Sequence, residues 1–286
     1  MDQDLLRRFI EEYPSQPATA FLRSIEIAAL IKHWTPQGRG LDLGCGDAKL
    51  TRIISERTVP MHLVGLDPDP LESRAASAAG LYETVHTAFG NAIPEPDGSF
   101  DYVLSNSVLE HIPELPSVIA DVSRVLRPGG EFIFSVPTVG FRSNMSGALL
   151  PWTSREDYLD TLDRRTAHIH YLDREQWTAL LARHAMRLEF CFGYLDKSEC
   201  QRWETLSRCT GGLLYALAGG RKQPIELQRA LGLRQLQNKT SVPRSLASLI
   251  GRMVSVGHAT TPAYWDSPEG LPDREAGCLL IRARRN

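Results

Sequence analysis

Two glycines and an aspartate occupy positions where α/β proteins bind ligands. Gly44 and Gly46 lie in the run LDLGCGDA, and Asp67 ends the run VGLD, 23 residues after Gly44. Glycine lets the backbone come close to a ligand at the carboxyl ends of parallel strands. A carboxylate at the end of the next strand can accept hydrogen bonds from both hydroxyls of a ribose. The spacing therefore predicts a nucleoside site, and a solvated helix-capping acid is the alternative for Asp67.

Lys49 separates this loop from the dinucleotide-binding pattern. The third glycine of that pattern would fall at position 49, where the helix must approach a pyrophosphate closely. The lysine disfavours a nicotinamide-dependent oxidoreductase. It suits a nucleoside that carries no phosphates.

The elements that position these residues are short β-rich runs alternating with helical patterns between about residues 38 and 137. This alternation predicts a doubly wound α/β fold with a parallel sheet and crossover helices. A helix is predicted over 115–126, where apolar residues recur at helical spacing, and Arg-Pro-Gly-Gly at 127–130 ends it. A later helix is predicted over 174–186. The predicted strands are 39–43, 61–67, 83–87, 100–105, 131–136, 187–194 and 277–283.

Three further segments flank this core in what we expect to be a single domain over 1–286. Residues 1–37 read as a helical cap with helices at 2–13 and 18–34, which would cover the cofactor pocket. The stretch 138–172 exceeds the usual connection length and is expected to form part of an acceptor site. The core itself is assigned to 38–195 and 276–286. An insertion at 196–275 carries helical patterns at 199–218, 224–237 and 243–256.

Several runs together identify a family resemblance. They are LDLGCGDAKLT, VGLDPDP, FGNAIPEPDGSFDYVLSNSVLEHIPELPSVIADVSRVLRPGGEFIFSVP and HIHYLDREQWTALL. In combination they resemble the class I S-adenosylmethionine-dependent methyltransferases, in the group typified by ubiquinone-type and small-molecule methyltransferases. The resemblance covers about residues 38–195 and the last strand.

The resemblance implies a Rossmann-like sheet of seven strands in the order 3-2-1-4-5-7-6, with the seventh strand antiparallel. It implies S-adenosylmethionine as the cofactor and S-adenosylhomocysteine as the product. The family commonly has an aspartate where this chain has Asn91, although an amide oxygen can also face the adenine amino group. By position, the methionine part of the cofactor would be bordered by Asp42, Gly44, Cys45 and Gly46, and Asp67 would hold the ribose. The adenine would be approached by Pro68, Asn91 and Ala92, and Asn106 would lie beneath the cofactor.

Histidines are the natural candidates for a base that would assist methyl transfer to oxygen or nitrogen. His168 and His170 alternate, so an extended segment would aim both imidazoles to one face. The alternative is a structural role in positioning the loop. His111 is expected to shape the cofactor pocket more than to act as a base, because its stretch is shared across the family regardless of acceptor. Side chains that would wall the acceptor, or simply pack the loop, are Arg142, Trp152, Tyr158 and Tyr171.

The charge distribution bears on partners. A net charge of -2 provides no general field that would attract nucleic acid. Residues 196–256 nevertheless hold ten Lys and Arg against four acids, alongside apolar runs at 212–218 and 246–256. Such a segment can lie on an anionic membrane surface or bind a lipid-linked, amphiphilic acceptor. A helical cap or dimer surface is the alternative, so a monomer and a homodimer both stay open, while stacking aromatics for nucleic acid are lacking.

We therefore expect an enzyme that methylates an oxygen or nitrogen of a small-molecule or amphiphilic biosynthetic intermediate. A cofactor-binding protein with a scaffold role or a non-methylating reaction is the alternative. The five cysteines lack the two-residue spacing that holds a metal, and no metal site is expected. The N-terminal residues do not form a secretory signal, which favours a cytoplasmic protein, with peripheral membrane contact left open.

Overall fold

A single seven-stranded sheet organises the protein. The computed structural model describes residues 2–148, 152–212, 244–254 and 262–286. The strand order is β3-β2-β1-β4-β5-β7-β6, and β7 runs antiparallel to both of its neighbours. This order confirms the fold prediction. The strands are β1 (Arg39–Leu43), β2 (His62–Leu66), β3 (Thr84–His86), β4 (Phe100–Asn106), β5 (Leu126–Pro137), β6 (Met186–Tyr194) and β7 (Cys278–Arg285).

Helices connect the strands, and local sequence signals start many of them. Asp69 caps α4 by accepting from the Leu71 N–H, and Asp173 with Gln176 forms a capping box at α8. The helices are α1 (Gln3–Glu12), α2 (Pro17–His33), α3 (Lys49–Ser55), α4 (Pro70–Ala78), α5 (Leu115–Val125), α6 (Val139–Ser143), α7 (Arg155–Thr166), α8 (Arg174–Ala182), α9 (Lys197–Ser207) and α10 (Arg244–Val254). Short helical turns lie at Leu109–His111, Arg208–Gly212 and Ala263–Asp266.

Successive side chains along each strand pack into two apolar layers, one on each face of the sheet. In β4, Tyr102 and Leu104 pack into one layer, whereas Val103 packs into the other. The first layer includes apolar residues of α1, α2, α9 and α10, and the second includes those of α5 and α8. Helices therefore cover both faces, as a doubly wound sheet requires.

Several element boundaries differ from those predicted. Helix α8 ends at Ala182 instead of residue 186, because the chain turns before Ala185, whose φ of 54° is left-handed. Strand β5 begins at Leu126, so the residues at 127–130 belong to an irregular start of the strand. The stretch 138–172 contains α6 and α7, and is not one long connection. The helix predicted at 224–237 and residues 213–218 of the apolar run lie outside the described residues.

Glu26 of α2 ties a helix to the carboxyl edge of the sheet. Its carboxylate is 1% exposed, accepts from Ser107 Oγ at 2.8 Å and from Ser135 Oγ, and forms an ion pair with Arg23. Ser135 lies in β5, and Ser107 immediately follows β4. This contact fixes α2 against the strand ends where a ligand is expected.

We predict that Glu26→Ala destabilises the fold by about 3 kcal/mol, because it strands a largely buried Arg23 charge and two serine hydroxyls. Asp4→Ala is the control, since Asp4 pairs with Arg7 at the surface and its removal should cost only about 0.5 kcal/mol. Urea unfolding measures both values. Equal losses in the two variants would contradict the anchoring role of Glu26.

Candidate functional site

The loop after β1 passes directly beneath the end of β2. The Gly44 and Cys45 N–H groups donate to the Leu66 carbonyl at 2.8 and 3.0 Å. Gly44 has a φ of +80°, and a Cβ there would lie 2.5 Å from Cγ2 of Val108. Only glycine fits this position, because both the backbone conformation and the neighbouring methyl group exclude a side chain.

Gly46 faces open space instead. Its φ is +52°, and an added Cβ would meet no atom of the described residues within 4 Å. Asp67 accepts from the Gly46 N–H at 3.0 Å and from the Asp69 N–H at 2.9 Å, so its carboxylate bridges the two strand-end loops. Burial raises the pKa of Asp67. Each oxygen keeps a lone pair that a ligand hydroxyl can use.

Two other predicted cofactor residues point into the protein. The Asp42 carboxylate accepts from Thr51 Oγ1 at 2.5 Å and from Tyr82 OH at 2.6 Å, and burial raises its pKa to about 6. Cys45 is 7% exposed and packs with Ala48, which precedes α3, and with Ala76 of α4, and burial raises the pKa of its thiol. Both residues shape the loop from behind.

The residues assigned to the adenine and the cofactor floor lie at the same edge. Pro68, Asn91 and Ala92 are exposed. Asn106, at the end of β4, is 8% exposed, and its Oδ1 lies 3.4 Å from Ser135 Oγ, whose proton goes to Glu26. Its buried Nδ2 meets no acceptor among the described residues. This unpaired amide and the free space at Gly46 fit a polar ligand such as S-adenosylmethionine.

A second group of polar side chains lies beside this edge. The segment after α7 pairs with the turn that follows β4, because the Ile169 N–H donates to the Glu110 carbonyl at 2.9 Å. The pairing puts the His168 ring centroid 5.3 Å from that of His111. Donor atoms of Glu110, His111 and His168 all lie within 4.8 Å of one another. We call these three residues the Glu-His-His cluster.

A hydrogen-bond chain supports His168 from behind. Nδ1 of His168 is 3.1 Å from the Tyr171 hydroxyl, which donates to Asp163 at 2.5 Å. Arg142 forms an ion pair with Asp163 at 3.0 Å. The chain therefore runs from α6 and α7 to the imidazole.

Burial controls the electrostatics of the Glu-His-His cluster. It raises the pKa of Glu110 to about 8 and lowers that of His168 to about 3, and it lowers the pKa of His111 as well. All three shifts disfavour the charged form of the isolated group. The cluster is thus poorly hydrated, so an added charge would interact strongly with its polar groups.

The remaining acceptor candidates are separated from this cluster or already engaged. His170 donates through Nε2 to the Ile112 carbonyl at 2.8 Å. Tyr158 accepts from Arg208 Nε at 3.1 Å, and Trp152 is 78% exposed. Arg142 binds Glu156 and Asp160 in addition to Asp163, at 2.6 and 2.7 Å.

Sequence reasoning missed several polar residues of the site. Glu26 carried a signal, since it is the one acid in the otherwise apolar run SIEIAAL of α2. Thr51, Tyr82 and Asp163 carried none, because each finds its partner only through tertiary contacts.

Comparison with known proteins identifies the family of the chain. A family model for a methyltransferase domain matches residues 6–185. A probable S-adenosylmethionine-dependent methyltransferase of Mycolicibacterium smegmatis is 34% identical over 119 residues, which cover 41% of this chain and 45% of the relative. A dimethylglycine N-methyltransferase of Parasynechococcus marenigrum is 29% identical over 211 residues, covering 64% and 74%. The chain thus spans less than half the length of the first relative.

The fold has solved counterparts. A Thermotoga maritima protein described as a SAM-dependent methyltransferase, possible histamine N-methyltransferase, aligns over 99% of both chains with a TM-score of 0.54 and 14% identity. This similarity concerns the fold alone.

We predict that Gly46→Ala weakens binding of S-adenosylmethionine by at least about tenfold, because the new methyl group enters the ligand space. Gly80→Ala is the matched control, since Gly80 also has positive φ (+67°) and an open Cβ position. Both variants should lose about 1 to 2 kcal/mol of stability from backbone strain. Titration calorimetry measures the affinity for S-adenosylmethionine. Equal affinities in the two variants would show that Gly46 does not line the binding site.

Proposed function

The chain belongs to the methyltransferase-domain family, and we propose that it transfers a methyl group from S-adenosylmethionine to an oxygen or nitrogen of a small-molecule intermediate. One observation carries the proposal. The open backbone at Gly46, the Asp67 carboxylate and the unpaired amide of Asn106 share one edge of the sheet, and the Glu-His-His cluster adjoins it through Val108.

The cofactor would be bound mainly by the backbone of the glycine loop and by the Asp67 carboxylate. Asp67 would accept the ribose hydroxyls, the loop at Gly44 and Gly46 would border the methionine part, and Asn106 would lie beneath it. When bound, S-adenosylmethionine supplies a methyl group made electrophilic by its sulfonium. The protein then has to align the acceptor and exclude water, and alignment alone can contribute roughly 7 to 11 kcal/mol.

His111 and His168 would act on the acceptor. Their rings lie together beside the cofactor edge, and burial keeps both imidazoles neutral near pH 7. A neutral imidazole offers a lone pair to an acceptor proton or to a cation. The similarity to a dimethylglycine N-methyltransferase supports an acceptor of small size.

We predict that His168→Ala lowers the rate of methyl transfer by about 100-fold while S-adenosylmethionine binds as in the wild type, because the imidazole would align the acceptor through a hydrogen bond. His62→Ala is the control, because His62 is 73% exposed at the opposite end of β2. Candidate acceptors are screened first by release of S-adenosylhomocysteine. Wild-type turnover of the His168 variant with the acceptor so found would refute the assigned role.

An amphiphilic acceptor is the second candidate. Helix α10 exposes Leu246, Leu249 and Met253 along one side, with exposed fractions of 46%, 56% and 65%, while Ala247 and Val254 face the core. Together with the local excess of cations in 196–256, this face would suit a lipid surface or a lipid-linked substrate. In the described part of the chain, no helix has the length and hydropathy needed to span a membrane.

On this second candidate, Leu249→Glu should abolish binding to vesicles of phosphatidylglycerol and phosphatidylcholine, because it puts an acid on the apolar face. Val59→Glu is the control, since Val59 is a similarly exposed apolar residue outside α10, at 46%. Vesicle flotation measures binding. Absence of wild-type protein from the floated fraction would exclude the membrane-facing role.

A further inference from the structure

The Glu-His-His cluster combines residues from two distant parts of the sequence. Glu110 and His111 lie in the turn after β4, and His168 follows α7. Donor atoms of the three residues converge within 4.8 Å. Sequence spacing gave no hint of this set, because His168 lies 57 positions after His111 and 58 after Glu110.

Hydrogen bonds fix which imidazole nitrogen carries the lone pair. The Ala167 carbonyl, 2.9 Å from Nδ1 of His111, can only accept, so His111 is protonated at Nδ1. The single proton of Tyr171 goes to Asp163, so the Tyr171 oxygen accepts from Nδ1 of His168. In both rings the lone pair is therefore on Nε2.

The cluster does not satisfy itself by hydrogen bonding. Nε2 of His111 is 3.8 Å from Oε1 of Glu110, beyond hydrogen-bond distance. Oε2 of Glu110 is buried and meets no donor among the described residues. Two imidazole nitrogens and the carboxyl oxygens of Glu110 thus converge without satisfying one another by hydrogen bonding.

We propose that Glu110, His111 and His168 bind a divalent first-row transition-metal cation beside the cofactor edge. Two imidazoles and one carboxylate are a ligand set that zinc and its neighbours prefer, whereas Mg²⁺ prefers oxygen ligands. Two ligands of a tetrahedral zinc ion lie about 3.4 Å apart at bond lengths of about 2.1 Å. The 3.8 Å separation between His111 and Glu110 needs only a small contraction to reach this geometry.

The surroundings of the cluster match those of a metal site. A metal-bound histidine usually donates its other N–H to a carbonyl or carboxylate group, which orients the ring. His111 does so to the Ala167 carbonyl, and His168 is linked through Tyr171 to Asp163. The nearby Arg23 charge is neutralised by Glu26. His111 is 38% exposed, which leaves an entry path for the ion.

The cation would orient and polarise an oxygen or nitrogen of the acceptor. This consequence rests on the proposed methyl transfer, whereas the metal site itself rests only on the cluster. Glu110 and both imidazoles would then position the acceptor through the ion.

Titration with Co²⁺ tests the site directly. The full chain, freed of any affinity tag and dialysed against a chelator, is titrated while the visible d–d absorption is followed. Wild-type protein should show saturable absorption at one equivalent of Co²⁺, and Zn²⁺ should abolish the signal while Mg²⁺ should not. His111→Ala, His168→Ala and Glu110→Gln should each lose the saturable signal.

Two further variants separate ligation from folding. Tyr171→Phe removes the hydroxyl that orients His168 and should weaken Co²⁺ binding by about 10 to 100-fold. His184→Ala removes a histidine outside the cluster and should bind Co²⁺ as the wild type does. Glu110→Gln keeps the shape of the side chain and the backbone carbonyl that binds Ile169, so it serves even where a histidine variant fails to fold.

Absence of a saturable Co²⁺ signal in the wild type, or an unchanged signal in Glu110→Gln, would overturn the proposal. Calorimetry with S-adenosylmethionine on the same samples keeps the two proposals apart. If the wild type does not bind S-adenosylmethionine, the proposed function is refuted. The Co²⁺ spectrum would still show whether the metal site exists.

Discussion

The close approach of Gly44 to Val108 is the constraint on which the site depends. A Cβ at Gly44 would lie 2.5 Å from a Val108 methyl group, so the loop after β1 and the turn after β4 can pack together only when residue 44 lacks a side chain. The same turn continues into Glu110 and His111. One steric contact therefore sets the distance between the glycine loop and the Glu-His-His cluster.

Burial of polar groups is the second theme of this edge. Asp42 and Glu26 are buried with hydroxyl partners, which hold the loop and α2 in place. Asn106 and Glu110 are buried with an unpaired atom each among the described residues. Because an unsatisfied buried polar atom costs about 1 to 3 kcal/mol, such groups persist where a ligand can pair with them. The paired acids thus hold the loop and α2 in place, whereas Asn106 and Glu110 each keep one atom with which a ligand could pair.

Helix α2 flanks the sheet and contributes a buried acid, Glu26, next to the site. Sequence analysis assigned the N-terminal helices to a cap, and the structure gives α2 a specific contact through Glu26 to the ends of β4 and β5. The acidic side chain interrupts an apolar face that packs on the sheet. This contact orders Ser107, which adopts a positive φ of 50° in the turn that carries the cluster.

The sequence by itself determined the fold class, the strand order through the family resemblance, and most element positions, because hydrophobic period and glycine placement are local properties. Strand β1 was predicted to the residue, and α2 within one residue at each end. Only the tertiary structure decided that Asp42 turns inward to Thr51 and Tyr82, and that His168 lies beside His111 while His170 binds a backbone carbonyl. Those outcomes depend on pairings between segments tens of residues apart, such as Ile169 with Glu110, and no local pattern specifies which distant segment a side chain will meet.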